Sequence, residues 1–306
     1  MKKKLITKIK NIEFNSPIVA ASGTFGYGDE VKDFVDLSEI GCIITKSITA
    51  EKRDGNPSSR IHGYSSGMIN SIGLANMGVE SFCDKKIPIL NSIDTKFIIS
   101  VAGSSFDDYI QVVQQIENAG GRHVGYEINV SCPNVKEGGM EFGVDKDTTY
   151  RLAKKIRALT DKILIIKLSP NVTNIEDIAL SAEEAGADAI SAVNTFVGLG
   201  IDYKTGKMLL STKFGGVSGP PIKPMALAKV HKIYNKVKIP IIGIGGISSY
   251  KDILEFIRVG SSMVQIGTLN YRDPSIISTF NNSLESFLND NNIGNISKLV
   301  GCYSEQ

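Results

Sequence analysis

Short apolar runs alternate with longer amphipathic segments along the whole chain. Eight runs rich in β-branched residues are separated by helix-like patterns of about ten to fifteen residues, which predicts βα units in a parallel sheet. Strands of such a sheet are buried on both faces, so they should be apolar at almost every position. The predicted strands are Ile18–Ala21, Ile43–Lys46, Phe97–Val101, Tyr126–Val130, Leu164–Leu168, Ala189–Val193, Ile241–Gly243 and Met263–Ile266.

The intervening segments have the end signals of helices. Several open with Asp, Asn, Ser or an early Pro, and several end at a glycine. The predicted helices are Asp107–Ala119, Lys146–Thr160, Asn174–Ala185, Pro224–Lys236, Ser249–Val259 and Pro274–Leu288. Eight strands with helices between them fit barrel closure, so the sequence predicts an α/β fold, a single (β/α)8 TIM barrel over residues 1–306.

Two long connections interrupt this regular alternation. Residues 47–80 and 195–223 are dense in Gly, Ser, Asn and Pro, and each follows a predicted strand. They are therefore expected to be long βα loops over the carboxyl-terminal face of the barrel. Connections of this length in a compact domain usually carry function.

The charge balance and the cysteine spacing exclude several classes of partner. The 34 basic and 32 acidic residues leave a net charge of +2, so neither nucleic acid nor membrane is an expected partner, and a small-molecule ligand is favoured. No apolar run approaches the roughly 18 residues of a membrane helix, and no signal-peptide core follows the lysines at positions 2–4, which predicts a cytoplasmic protein. The cysteines at 42, 83, 132 and 302 are widely spaced, so no metal site is predicted.

The segment 126–134 places several useful groups at one strand end. Period-two alternation puts Glu127 and Asn129 on one face of the strand and apolar residues on the other. The strand then breaks at Cys132-Pro133, because proline cannot continue a central ladder. The Cys132 thiol would therefore lie on a loop just past a strand end, a position suited to a base or a nucleophile.

Most of the other predicted strands also end in polar or glycine-rich signatures. These are Lys46-Ser47, Ser100, Lys167, Asn194-Thr195, Gly245-Gly246 and Gly267-Thr268. In a closed parallel barrel these strand ends share one rim, so the groups should converge on one site. A glycine after a strand is more often only a turn, but two such pairs after the last two strands predict a phosphate site.

The two lysines and the glycine spacing narrow the choice of cofactor. Lys46 and Lys167 end buried strands, and a buried ammonium needs an anionic partner, such as the N1–O2 edge of a reduced flavin. The glycines at 243, 245 and 246 lack the third glycine of the dinucleotide fingerprint. Direct binding of NAD is therefore not predicted.

Eight motifs occur in order along nearly the whole chain. They are Ala21-Ser22-Gly23-Thr24-Phe25-Gly26-Tyr27-Gly28, Lys46-Ser47, Gly55-Asn56-Pro57, Asn70-Ser71-Ile72-Gly73-Leu74-Ala75-Asn76, Asn129-Val130-Ser131-Cys132-Pro133-Asn134-Val135, Lys167-Leu168-Ser169-Pro170-Asn171-Val172, Gly216-Val217-Ser218-Gly219-Pro220 and Gly243-Ile244-Gly245-Gly246-Ile247. With these motifs the chain resembles the dihydroorotate dehydrogenases, and residues 23–28 and 136–139 favour the catalytic subunit of class 1B.

The resemblance implies an FMN enzyme of pyrimidine biosynthesis that oxidises dihydroorotate to orotate. Cys132 would take the C5 proton while a hydride passes from C6 to flavin N5. Electrons would reach NAD through a separate partner subunit that carries FAD and a 2Fe-2S cluster. The chain itself is expected to form a homodimer within a heterotetramer with that subunit.

The same resemblance implies two sets of binding residues. Those for FMN are Ser22, Lys46, Ser47, Ser100, Asn129, Lys167, Val193, Gly219, Gly245, Gly246, Gly267 and Thr268. Those for the substrate are Lys46, Asn70, Ile72, Gly73, Leu74, Asn129, Asn134, Asn194 and Thr195. Ser100 stands where the family usually has asparagine, so the resemblance implies a shortened, water-mediated or lost hydrogen bond on the flavin side.

Two further functions remain open at this point. The chain could be another flavin barrel, either a class 1A homodimer linked to fumarate or a relative that acts on a different reduced pyrimidine. It could also be a non-redox phosphate-binding barrel, or a binding protein without catalysis, which only the glycine pairs at 245–246 and 267–268 suggest.

Overall fold

Eight parallel strands close into a barrel and follow one another around it in chain order. A computed structural model gives this fold, and it describes residues 3–130, 136–137 and 140–305. The barrel strands are β3 (Ile18–Ala20), β4 (Cys42–Ile44), β7 (Phe97–Val101), β8 (Gly125–Asn129), β11 (Ile163–Lys167), β12 (Ala189–Ala192), β15 (Ile241–Ile244) and β16 (Met263–Ile266). All eight predicted strands and the TIM barrel are confirmed.

The six predicted helices are present and pack around the barrel. They are α3 (Phe106–Asn118), α4 (Lys146–Arg157), α5 (Ile175–Glu184), α6 (Lys223–Tyr234), α7 (Tyr250–Arg258) and α8 (Ile276–Asp290). Helices α3 and α7 each begin with a capping box, formed by Ser105 with Asp108 and by Ser249 with Asp252. Each box satisfies N–H groups that have no partner within the helix, which fixes where the helix begins.

An antiparallel hairpin lies at the amino-terminal end of the barrel. Its strands are β1 (Thr7–Ile9) and β2 (Ile12–Phe14), which directly precede the first barrel strand. Buried Ile9 and Phe14 join a cluster with inward-facing apolar side chains of the barrel strands. The hairpin therefore closes this end of the barrel and leaves the carboxyl ends of the strands for a site.

The two long connections form a second sheet. The first contains β5 (Ile61–Gly63) and β6 (Met68–Asn70), and the second contains β13 (Phe196–Gly198) and β14 (Gly215–Ser218). These four strands pair antiparallel in the order β13-β14-β6-β5. Because both connections leave carboxyl ends of barrel strands, the predicted long loops are confirmed, but the sequence analysis missed the sheet within them.

Four short elements complete the description. Helices α1 (Val79–Lys85) and α2 (Ile87–Ser92) lie between β6 and β7, and β9 (Lys136–Glu137) pairs antiparallel with β10 (Met140–Glu141) after β8. Among the described residues, none of the helices has both the length and the apolar character needed to cross a lipid bilayer.

Candidate active site at the carboxyl ends of the strands

The interior of the barrel changes from apolar to polar along its axis. Toward the amino ends of the strands, inward-facing residues form an apolar cluster that includes Val19, Cys42, Ile98, Ile165 and Met263. One or two inward positions further along, the strands carry polar groups instead, because side chains two residues apart share a face. These groups are Ser100, Glu127, Asn129, Lys167, Ser191 and Gln265. We call these six residues the polar floor.

An ion pair with two further donors lies at the centre of the polar floor. The Lys167 ammonium donates to Glu127 Oε1 at 3.2 Å, and both side chains are buried. Glu127 Oε2 accepts from Ser191 Oγ at 2.8 Å and from Gln265 Nε2 at 2.6 Å. The anionic partner that a buried Lys167 requires is therefore supplied by the chain itself. Ser191 and Gln265 were not among the predicted site residues, although a polar residue within an apolar strand run marks each of them.

Three predicted flavin ligands meet beside this ion pair as a chain of serine hydroxyls. Ser47 Oγ lies 2.9 Å from Ser100 Oγ and 3.4 Å from Ser22 Oγ. The backbone N–H of Ser100 donates to Thr45 Oγ1 at 3.2 Å. Ser100 is fully buried, and its hydroxyl pairs with that of Ser47.

Lys46 lies at the edge of the polar floor in an electropositive setting. Its backbone N–H donates to the Gly26 carbonyl at 2.8 Å, which fixes the end of β4. Partial burial lowers the pKa of Lys46, the positive charge of Arg60 lowers it further, and Glu30 opposes that shift. A half-buried ammonium beside a guanidinium is stabilised by a bound anion. Arg60 is a site residue that sequence analysis did not identify, because its position depends on how the 47–80 loop folds.

The predicted substrate segment 70–74 runs along a second stretch of the same loop. Asn56 fixes this segment with two hydrogen bonds. Its backbone N–H donates to the Ile72 carbonyl at 3.0 Å, and its side-chain amide donates to the Ser71 carbonyl at 2.9 Å. Gly73 and Leu74 both have left-handed backbone, with φ of +76° and +57°. A side chain on residue 73 would lie 2.7 Å from the Asn56 nitrogen, so this close approach requires glycine.

The remaining predicted substrate ligands lie where the second sheet meets the barrel. Asn194 follows β12, and its amide donates to Asn129 Oδ1 at 3.3 Å, while its own Oδ1 accepts from the Thr195 N–H at 2.8 Å. Asn70 ends β6 and its amide is 3.4 Å from the Gly216 carbonyl oxygen. A Cβ on Gly216 would overlap the Thr195 side chain. Asn70, Asn129, Asn194 and Thr195 are therefore close neighbours.

The predicted phosphate ligands converge after β15 and β16. A Cβ on Gly246 would lie 2.9 Å from the Gly219 carbonyl oxygen, and Thr268 Oγ1 donates to Ser218 Oγ at 2.8 Å. Gly245 and Gly246 have φ of +135° and +73°, which favours glycine. A Cβ on Gly267 would lie 3.7 Å from the side chains of Ala21 and Thr24, which is ordinary van der Waals contact, so this position does not itself require glycine.

The start of α7 contributes less to this phosphate site than the sequence suggests. The Asp252 carboxylate accepts from the N–H groups of Ser248 and Ser249, each at 2.8 Å, and Lys223 donates to it at 2.6 Å. Burial raises the pKa of Asp252, but hydrogen bonds from Lys223, from the backbone and side chain of Ser248 and from the side chain of Ser249 hold it below its usual value. An external phosphate would therefore meet the glycine backbones and Thr268 rather than the first turn of α7.

Two predicted residues and one cavity lie away from the site described above. The predicted base Cys132 and the predicted substrate ligand Asn134 lie outside the described residues. A cavity of about 610 Å³ lies at the amino ends of β3, β4, β7 and β8, and none of the predicted site residues lines it. Among residues 3–130, 136–137 and 140–305, no group of three or more His, Cys, Asp or Glu could hold a metal ion.

A family model and several sequence relatives agree with the geometry of this site. Residues 4–288 match the family model described as "Dihydroorotate dehydrogenase". Two proteins named "Dihydroorotate dehydrogenase B (NAD(+)), catalytic subunit", from Geotalea uraniireducens and Caldicellulosiruptor bescii, are 41% and 43% identical to this chain. Each alignment covers 97% of this chain, and 97% and 98% of the respective relatives. A relative of the same name from Bacteroides thetaiotaomicron is 42% identical over 97% of this chain and 98% of its own length.

A solved structure supports the fold independently. The crystal structure of the dihydroorotate dehydrogenase of Eimeria tenella in complex with ferulenol superposes with a TM-score of 0.82, over 98% of this chain and 88% of that one. Its 22% sequence identity supports the architecture alone. Together with the match over residues 4–288, the sequence relatives confirm the predicted resemblance and the dihydroorotate-oxidising activity that it implied. The chain therefore belongs to the dihydroorotate dehydrogenase family.

Proposed function

We propose that this chain is the catalytic subunit of a class 1B dihydroorotate dehydrogenase, with FMN as the primary hydride acceptor. The observation that carries the proposal is the polar floor at the carboxyl ends of the barrel strands, where a buried lysine, serines and amides converge. The chain oxidises dihydroorotate to orotate in pyrimidine biosynthesis, and residues 1–306 form a single FMN-binding domain.

The donor set at the rim fits FMN. Positive backbone φ at Gly219, Gly245 and Gly246, and the absence of a side chain at Gly267, allow close approach of a phosphate to backbone and to Thr268. The flavin ring would be held by polar side chains and by Val193, which follows β12. The polar side chains are those of Ser22, Lys46, Ser47, Ser100, Asn129 and Lys167. When bound, FMN supplies the hydride acceptor, and the protein's part is to place and tune it.

The amides beside the polar floor suit the substrate. Asn70, Asn129 and Asn194 each present both donor and acceptor atoms, which match a pyrimidine ring with alternating N–H and C=O groups. Lys46, which lies within the electrostatic influence of the Arg60 guanidinium, would bind the anionic side of the substrate. Backbone groups of Ile72, Gly73 and Leu74, with Thr195 and Asn134, would complete the substrate site.

The chain's own residues would then orient the substrate and move one proton. Cys132 takes the C5 proton, as the resemblance implies, while the asparagine amides hold the ring in register for hydride loss at C6. Lys46 and Lys167 offset negative charge that develops during reduction of the cofactor. Replacement of Cys132 by Ser or Ala is expected to slow dihydroorotate oxidation strongly and to leave FMN bound, and unchanged turnover in Cys132→Ala contradicts the assignment.

Two kinds of partner are proposed. The relatives' name, "B (NAD(+)), catalytic subunit", supports a separate electron-transfer subunit, which would carry FAD and a 2Fe-2S cluster. A homodimer within that heterotetramer is supported by exposed apolar side chains along β13 and the loop to β14, a feature of interaction surfaces. They are Val197, Leu199, Ile201, Tyr203, Met208 and Phe214, which are 44–87% exposed.

The compartment is also a proposal. Cys42, Cys83 and Cys302 are free thiols, and reduced cysteines are typical of cytosolic proteins. We therefore propose a cytoplasmic enzyme.

A spectroscopic experiment tests the function. The purified chain is expected to be yellow, and anaerobic dihydroorotate should bleach its flavin absorbance with one equivalent of orotate formed. A colourless protein that cannot be reconstituted with FMN contradicts the proposal and favours a non-redox phosphate-binding barrel. Turnover with fumarate in the absence of a partner subunit contradicts the class 1B assignment and favours class 1A.

A further inference from the structure

The carboxylate of Glu127 is the least accessible charged group of the polar floor. It is fully buried, and it accepts hydrogen bonds from side chains on three other barrel strands, namely Lys167, Ser191 and Gln265. Desolvating a carboxylate is costly, and the three converging donors offset that cost. In the register of β8 and β11, Lys167 pairs with Asn129, two residues nearer the carboxyl ends than Glu127, so the group that Glu127 contacts lies on its rim side.

The groups around the ion pair are neutral, so Glu127 is the counter-ion of Lys167. Gln265 and Ser191 are neutral, and burial raises the pKa of the Cys42 thiol well above its usual range, so Cys42 is also neutral. The polar floor therefore holds one positive and one negative group, with a net charge close to zero. Without Glu127 the same floor would present an uncompensated ammonium to whatever binds above it.

We propose that Glu127 is a positioning residue that fixes the Lys167 ammonium and offsets its charge beneath the flavin. This inference rests on the proposed binding of FMN at the rim. Lys167 alone would favour the reduced, anionic ring, and Glu127 limits that preference so that the flavin can pass its electrons on. Ser191 and Gln265 hold the carboxylate in place through its other oxygen.

The charge-neutral variant Glu127→Gln tests this inference because it keeps the shape of the side chain. The readout is the ratio of reduced to oxidised flavin in the isolated protein, measured at one fixed pH and at a fixed ratio of dihydroorotate to orotate. Loss of the buried anion should raise the reduced fraction. We expect the ratio to rise about tenfold, which is about 30 mV for a two-electron couple.

Gln265→Leu is the matched control. It removes a donor to Glu127 but keeps both charges, so its ratio is expected to change less than about threefold. The inference is wrong if Glu127→Gln shifts the ratio less than about fivefold, or if Gln265→Leu shifts it equally, since the network would then act through shape. Flavin content, measured by absorbance, separates this failure from failure of the proposed function, because a wild-type chain without FMN contradicts the function alone.

Discussion

Replacing Lys167 by Met should destabilise the chain even without cofactor. The substitution leaves Glu127, which has no exposed surface, with only the neutral Ser191 and Gln265 as donors. Removing one partner of a buried ion pair typically costs about 3–5 kcal/mol, because the remaining charge is uncompensated. The two neutral donors retain part of the stabilisation, so we expect a loss of about 3 kcal/mol in the free energy of unfolding.

A double variant separates the charge effect from the loss of packing. In Lys167→Met with Glu127→Gln no buried charge remains, and replacing a buried pair by neutral groups of similar size is often nearly neutral. We expect it to recover about 2 kcal/mol of the loss in denaturant unfolding followed by circular dichroism. The reasoning is refuted if Lys167→Met loses less than about 1 kcal/mol, or if the double variant is no more stable than the single one.

Three further predictions test other parts of the structure. Gly246→Ala should weaken FMN binding at least tenfold, because the added Cβ would lie 2.8 Å from the Lys223 nitrogen. The control Gly206→Ala has a similar φ but no neighbour within 4 Å, so it should lose only about 1 kcal/mol of stability and keep FMN. Equal FMN affinities of the two variants contradict this prediction. Burial lowers the pKa of His123 to about 4, so between about pH 6.5 and 4 the unfolded chain binds more protons than the folded chain. The free energy of unfolding should therefore fall by up to about 1.4 kcal/mol per pH unit as the pH is lowered through that window. His123→Phe should remove this contribution in unfolding titrations. Arg60→Met should raise the pKa of Lys46, measured by the pH dependence of its chemical labelling, and an unchanged labelling profile argues against the proximity of the two cations.

Sequence reasoning predicts the barrel because its strands are buried on both faces. Such strands give continuous β-branched runs, and all eight were located from that pattern. The second sheet lacks this signal, since its strands are three or four residues long and β14 reads Gly-Gly-Val-Ser. Helices α1 and α2, with seven and six residues, are also too short to show a helical period.

The site is predictable to the extent that it depends on strand ends. Parallel strands bring Ser47, Asn129 and Lys167 to one rim whatever the details of packing. The two-residue period of a strand also places Glu127 on the same face as Asn129. The pairing of Glu127 with Lys167 and Gln265, however, depends on the strand register around the closed barrel. The position of Arg60 depends on the folded 47–80 loop, which no local pattern specifies.

A crystal structure of the chain with FMN and orotate tests the central claim most directly. The account predicts that the flavin ring lies over the polar floor, within hydrogen-bond distance of Lys167, with its phosphate at Gly246 and Thr268 and orotate against Asn70, Asn129 and Asn194. Flavin bound instead in the cavity of about 610 Å³ at the amino ends of the strands would contradict it.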